Sequence, residues 1–203
     1  MITEVIFDIE TKKLFGEITT DNPADLEVSL VSVYRRTLTD RLEEIAGVMT
    51  SFWEADFPKM WPLFRDAKRV VGFNSVKFDA PALAPLAPYP FTKLPHFDIM
   101  LSVRETLGRS LSLNHLAENT LGKGKVDSGL NAVEYFKKGD PESLNKLKHY
   151  CEQDVFLTRD LYDFGLRTGI LKYIDQWNNA KSVTVNFSYP REVVEQSRQI
   201  GLF

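Results

Sequence analysis

Two carboxylates, Asp8 and Glu10, interrupt an otherwise apolar run, Val5-Ile6-Phe7-Asp8-Ile9-Glu10. Alternation along a strand puts Ile6, Asp8 and Glu10 on one side and Val5, Phe7 and Ile9 on the other, with side chains two apart separated by about 6.5–7 Å. Acids are disfavoured within strands, so the pair is either functional or marks a strand leaving its sheet for water. A third acid, Asp154, falls inside the stripe Leu147, Tyr150, Cys151, Thr158, Leu161 and Gly165, away from Lys146, Glu152 and Arg159. A carboxylate on such a core-facing stripe is costly unless a cation or strong hydrogen-bond donors meet it. Tyr150 precedes Asp154 by one helical turn and projects beside it, about 40° round the axis. A Tyr–Asp hydrogen bond within the helix is the other use of that spacing. Asp79, ahead of Ala80-Pro81, reads by itself as a helix N-cap, and Asn74 as a turn residue after a strand. Carboxylate oxygens are hard ligands, suited to Mg²⁺ or Mn²⁺ rather than to zinc.

The elements around these residues follow from pattern. Residues 5–9 read as a strand buried on both faces, and residues 30–35 as a second strand after a turn at 21–25. A third strand is expected near residues 42–48. A helix over 56–67 has Pro58 in its first turn, with Trp61, Leu63 and Phe64 as core candidates. A strand over 69–74 ends in a loop, and a short helix can open at residues 79–86. The Pro-rich stretch 81–95 is a connector, followed by a short strand at 96–100. Leu113, Leu116, Ala117 and Leu121 predict a helix over 112–121 that Gly122 stops. Beyond a basic loop at 122–125 comes a long helix with Asp140 as N-cap, Pro141 at its first position and Gly165 or Gly169 near its end. In the tail, Val183, Val185 and Phe187 alternate with polar residues, predicting a half-buried strand, then Pro190 and a short amphipathic segment. The expected organisation is one domain over residues 1–181 with the strand and short helix of 182–203 appended to it, an α/β layered fold.

With 203 residues, 43% hydrophobic and 26% charged, the chain can bury a sizeable single core. A single cysteine excludes an internal disulfide and a cysteine-rich zinc site. A net charge of −3 argues against a protein that coats nucleic acid non-specifically. It leaves room for an enzyme whose acidic metal site lowers the total. The first residues, Met1-Ile2-Thr3-Glu4, do not read as a basic region followed by an apolar run, so a secretory signal is not expected, and no apolar run approaches the ~20 residues of a membrane span. The expectation is a cytoplasmic protein with no membrane association.

Three segments, Phe7-Asp8-Ile9-Glu10-Thr11, Gly72-Phe73-Asn74-Ser75-Val76-Lys77-Phe78-Asp79 and Tyr150-Cys151-Glu152-Gln153-Asp154-Val155, resemble in order the three motifs of the DEDD superfamily of 3′–5′ exonucleases. The resemblance is to the Tyr-bearing branch, which includes polymerase proofreading domains and ribonuclease D-like enzymes, and it spans roughly residues 5–166. It implies a ribonuclease H-like fold, a central mixed sheet with helices on both sides. It further implies Asp8, Glu10, Asp79 and Asp154 as ligands of two Mg²⁺ or Mn²⁺ ions and Tyr150 as the residue orienting the attacking water. Thr11, Asn74 and Phe78 would lie beside the terminal nucleotide. The implied reaction hydrolyses the terminal phosphodiester of a single-stranded 3′ end, releasing a nucleoside 5′-monophosphate, with a helicase or polymerase as a partner class and DNA repair as a setting. A sister branch carries His five residues before its last Asp, where His149 stands; helical geometry puts His149 about 140° from Asp154 and favours Tyr150. The alternatives are a binding module of the same fold without turnover, and a ribonuclease H-like endonuclease or resolvase. Phe15, Phe73 and Phe78 are candidates for stacking on a base, with core packing the expected fate of Phe73, and Lys123, Lys125, Lys137 and Lys138 for phosphates, with a solvated basic surface as their default use. DNA and RNA are not distinguished by these residues.

Overall fold

The computed structural model describes residues 1–124 and 129–189. Its centre is a five-stranded mixed sheet. The strands are β1 (Ile2–Thr11), β2 (Val28–Leu38), β3 (Glu44–Trp53), β4 (Arg69–Gly72) and β5 (His96–Asp98), in the spatial order β3-β2-β1-β4-β5. β1 pairs antiparallel with β2 and parallel with β4; β3 extends the antiparallel side and β5 the parallel side. A parallel pair needs a crossover, and α1 (Phe57–Arg65) supplies the one between β3 and β4. This is the central mixed sheet flanked by helices that the resemblance implies.

The alternation of β1 divides the core. Val5, Phe7 and Ile9 pack with Val31, Val33 and Val70 against Met60, Trp61 and Phe64 of α1 and Ala80, Ala82 and Leu83 of α2 (Asp79–Leu83). Ile6 and Val71 face the opposite layer: α3 (Ile99–Leu107), α4 (Leu113–Leu121) and α6 (Pro141–Thr168). Ten-residue β1 is therefore covered on both sides, and its even-numbered residues, acids included, point toward α6. Between α4 and α6 lies α5 (Gly129–Lys138).

The expected boundaries hold in the main, with differences that have local causes. The third strand begins at Glu44 and runs on to Trp53, because pairing with β2 extends it past residue 48. Residues 99 and 100 belong to α3 rather than to a strand, since the Asp98 side chain accepts the Leu101 N–H and caps a helix there. The strand expected over 69–74 stops at Gly72. α3, α5 and the hairpin strand β6 (Ile170–Ile174) were not expected from pattern. α6 has Asp140 at its N-cap, accepting the Ser143 N–H at 2.9 Å, and ends where Gly169 adopts φ +71°.

β6 pairs with β7 (Ala180–Thr184), after which Val185, Phe187 and Tyr189 stay buried in alternation. Phe187 lies so close to α6 that a Cβ on Gly165 would come within 2.2 Å of its ring, so glycine is required there. The amphipathic segment expected after Pro190 lies outside the described residues.

Candidate active site

The carboxyl-terminal end of β1 delivers Asp8 and Glu10. A register shift between Glu10 and Thr11 against β2 ends the regular ladder there. Asp8 is half-buried and Glu10 only 9% exposed, so neither acid has left the sheet for water. α6 crosses this end of the sheet and lays Cys151 against Asp8, its sulfur 3.5 Å from the Asp8 carbonyl oxygen and 3.7 Å from Asp8 Oδ2. Carboxylate oxygens of Asp8 and Glu10 and the Cys151 sulfur all lie within 4.8 Å of one another. Burial pushes the Cys151 thiol well up, and the negative charges of Asp8 and Glu10 push it further. The thiol is thus a neutral donor toward Asp8.

One turn along the same face of α6 stands Asp154, 5% exposed. Asp79, 4% exposed, is the first residue of α2, with Phe78 rather than Asp79 in the cap position and no side-chain cap bond. The N-cap alternative for Asp79 is therefore set aside. Burial raises the Asp79 carboxyl to about 7 from an ordinary 3.8, helped by the charges of Asp98 and Asp154 and opposed by hydrogen bonds from its own and the Ile9 main chain. Asp79 thus senses Asp154, while Cys151 senses Asp8 and Glu10. With Cys151 and Asp154 on one face of α6 and the Ile9 main chain bonded to Asp79, the four acids nominated by sequence are neighbours, Asp8 and Glu10 forming the closer pair with Cys151.

Tyr150 is half-buried on the same helix and packs with Trp53, Tyr135 and Phe136 around Leu30 and Leu147. His149 points outward, its side chain 67% exposed and 3.7 Å from Glu152, as the helical angle requires. Glu152 itself is less solvated than its sequence position suggests: it accepts the Ser51 hydroxyl at 2.7 Å, which in turn meets Ser32 at 3.0 Å.

The remaining nominated residues divide. The Thr11 hydroxyl donates to the Lys13 carbonyl at 2.9 Å, so its first use is to shape the turn after β1. Asn74 adopts φ +65°, and its main chain is engaged: its carbonyl accepts the Phe78 N–H at 3.0 Å. Phe78 packs on the α1 side of the core and meets Phe15 edge-on, centroids 6.0 Å apart. Phe15 is 49% exposed, whereas Phe73 is absorbed into the core on the α6 side. Lys137 pairs with Glu17 and Lys123 with Asp160, Lys138 is exposed, and Lys125 lies outside the described residues.

A buried acid beside this site, Asp98, escaped pattern reading. Asp98 ends β5 opposite Gly72 and accepts the N–H groups of Asn74 at 2.9 Å and Val76 at 3.0 Å, as well as that of Leu101. Its signal in the sequence was an acid one residue before the apolar spacing of Ile99 and Val103, an N-cap position.

Comparison with known proteins places the fold. A family model described as the RNase H superfamily matches residues 5–164. No curated protein matches the sequence. Among solved structures, a family B DNA polymerase from the hyperthermophilic archaeon Pyrobaculum calidifontis aligns at TM-score 0.59 and 18% identity, covering 82% of this chain and 25% of the polymerase. Escherichia coli Exonuclease I in complex with a dA16 oligonucleotide aligns at TM-score 0.50 and 13% identity, covering 82% of this chain and 41% of that one. The chain thus spans well under half the length of these structural relatives. Among the described residues no helix is long and apolar enough to cross a membrane.

Proposed function

The chain belongs to the RNase H superfamily, and from that membership together with the acid cluster we propose that it is a metal-dependent 3′–5′ exonuclease acting on single-stranded nucleic-acid ends. The observation that carries the proposal is that β1, α2 and α6 bring Asp8, Glu10, Asp79 and Asp154 into one neighbourhood, three of the four acids being buried there.

The donor set fits hard divalent ions. It offers the Asp8 and Glu10 carboxylates of β1 close together, with the charges of Asp79 and Asp154 acting on one another beside them, and the sulfur in the cluster is held as a neutral thiol. Asp8, Glu10, Asp79 and Asp154 would hold two such ions, Mg²⁺ or Mn²⁺, whose positive charge would offset the phosphodiester and lower the pKa of the attacking water. The residues of the chain do the rest. α6 fixes Tyr150 one turn from Asp154, where its hydroxyl can orient the water, a role that needs no proton transfer by the phenol. Phe15 and Phe78 form an aromatic ledge on the segments adjoining Glu10 and Asp79, suited to the last base of an unpaired end. Thr11 and Asn74 contribute through the turns that carry that ledge. Exonuclease I with its dA16 oligonucleotide, similar in fold, agrees with a single-stranded substrate, and the polymerase likeness agrees with a polymerase or helicase as partner.

Oligonucleotides of DNA and RNA labelled at either end, incubated with Mn²⁺, Mg²⁺ or chelator, test this. The 3′ label should be released first as a mononucleotide, 5′-labelled strands should shorten stepwise, and chelator should stop both. A closed single-stranded circle should survive; its cleavage at the rate of the linear strand would establish an endonuclease instead.

A further inference from the structure

We infer that Asp98 is a positioning residue for Asp79, fixing the loop between β4 and α2 so that this carboxylate meets its ions; the inference rests on the exonuclease reading above. The geometry is a chain of hydrogen bonds with Asp98 at its root. β4 ends at Gly72, and the backbone turns so sharply that a Cβ at Gly72 would come within 2.4 Å of the Ser75 side chain. Asn74 then takes a left-handed φ of +65°, a conformation disfavoured for any residue but glycine and tolerated best by Asn and Asp. Left to itself such a turn has several alternatives. Asp98 removes them: one of its oxygens accepts from Asn74 N at 2.9 Å and from Leu101 N at 3.1 Å, the other from Val76 N at 3.0 Å.

From this clamped turn the next bonds run to both sides of Asp79. The Asn74 carbonyl accepts the N–H groups of Lys77 and Phe78, at 3.2 and 3.0 Å, and the Ser75 carbonyl accepts that of Ala80 at 2.8 Å. Residues 78 and 80, the immediate neighbours of Asp79, are thus each held by a carbonyl of the segment that Asp98 grips. Because Asp98 also caps α3, a single buried carboxylate ties the start of one helix to the approach of another. Hydrogen bonds from N–H groups to a carboxylate are among the stronger ones available, and Asp98 is itself buried.

Three substitutions separate positioning from mere folding. Asp98→Ser retains an N-cap oxygen for α3 but is too short to span to residues 74 and 76. Asp98→Asn keeps one acceptor oxygen and loses the charge. Ser102→Ala removes a bond from the Ser102 hydroxyl to the Asp98 carbonyl, loosening the start of α3 without touching the clamp. Mn²⁺ binding is read by electron paramagnetic resonance of the free ion, beside the Mn²⁺ concentration giving half-maximal hydrolysis. Loss of groups that orient metal ligands lowers affinity or activity by roughly 10–100-fold, so Asp98→Ser should need at least about tenfold more Mn²⁺ in both readouts. Asp98→Asn should fall between it and wild type, and Ser102→Ala should match wild type. Amide resonances of Asn74 and Val76 should move upfield in Asp98→Ser. Unchanged Mn²⁺ affinity in Asp98→Ser overturns the inference; should that variant not fold, unchanged affinity in Asp98→Asn does so. A wild type that binds Mn²⁺ but hydrolyses nothing sinks the exonuclease reading alone, because the binding comparison still decides the role of Asp98.

Discussion

The two ends of β1 bury acids on the same face, toward α6, and treat them in opposite ways. At the amino-terminal end Glu4 meets the Arg36 guanidinium at 2.8 Å and accepts the hydroxyls of Tyr162 and Tyr189. Arg36 continues as a two-pronged pair to Asp163 at 2.7 and 2.9 Å. Burial works to lower the Arg36 guanidinium, but Asp163 and Glu4 outweigh it and raise it. Arg69 completes the group, donating to Tyr162 and to the carbonyls of Phe187 and Ser188 while lying 3.8 Å from the Tyr189 ring centre. At the carboxyl-terminal end Asp79 is buried near Asp98 and Asp154, and its carboxyl is raised rather than lowered. The chain can therefore match a buried carboxylate with arginine, and does so 4 residues away from Asp8 on one strand. The difference separates a charge cluster matched by arginine from one in which carboxylates stand beside one another, the arrangement that the proposed exonuclease needs.

The sharpest test of the contrast is one substitution at each end. Asp154→Asn should cut exonuclease turnover by at least roughly 10²–10³-fold, the range seen when one group stabilising a charged transition state is lost. In chelator it should leave the melting temperature equal to or above wild type, because a mutually repelling carboxylate has gone. Arg36→Ala should do the reverse: it strands Glu4 and Asp163, costing about 3–5 kcal/mol, which lowers Tm by on the order of 10 °C. Mn²⁺ should not restore that loss. If Asp154→Asn melts as early as Arg36→Ala, the two ends are not different in kind.

Titration sharpens the comparison next. Asp79 is at about 7 in the folded chain against an ordinary 3.8, so folding favours its protonated form. The stability it contributes is fully present below about 3.8 and is lost as pH rises through about 7, a swing of at most on the order of 4 kcal/mol. In chelator, wild-type Tm should fall across that window relative to Asp79→Asn, whose curve should be flatter. Saturating Mn²⁺ should oppose the fall by stabilising the ionised folded form; at 100-fold excess over its dissociation constant the gain is about 2.7 kcal/mol. Parallel curves for the two proteins in chelator would show that Asp79 is not in an environment of excess negative charge.

How far these ends could be read from sequence depended on whether the signal was local. The strand pattern gave the face of Asp8 and Glu10, and the 3.6-residue period gave the face of Tyr150 and Asp154, because each follows from backbone geometry alone. The opposite end was not anticipated. Glu4, Arg36, Arg69, Tyr162 and Asp163 are each ordinary in their own element, and only the antiparallel register that opposes Glu4 to Arg36 brings the first two together. Asp98 fell between, since its capping position was visible but its reach to Asn74 and Val76 depends on β5 lying beside β4. α3 was missed because the run at 96–100 begins as a strand and turns helical without a glycine or proline to mark the change. Phe15 and Phe73 were both aromatic candidates with core packing the expected fate of Phe73, and their burial separates them in that sense.

That distinction carries the smallest expected effect. Phe15 sits in the short turn Phe15–Glu17 just beyond β1, half-exposed and edge-on to Phe78, whose own ring is anchored in the core. The turn is held by the Glu17 carboxylate, which accepts the Leu14 N–H at 2.8 Å and pairs with Lys137 of α5. Phe15 is therefore a ring on a braced support with little to pack against, and its removal should cost the fold almost nothing. Stacking on a base is worth about 1–3 kcal/mol, and a half-covered ring belongs at the low end, so Phe15→Ala should raise KM for a single-stranded substrate by about fivefold to tenfold. Its kcat should change less than its KM, and its Tm should stay within a few degrees of wild type. Phe78→Ala, by contrast, should lower both activity and Tm, because that ring belongs to the core as well as to the ledge. An unaltered KM in Phe15→Ala would mean that the exposed ring is not where the terminal base rests.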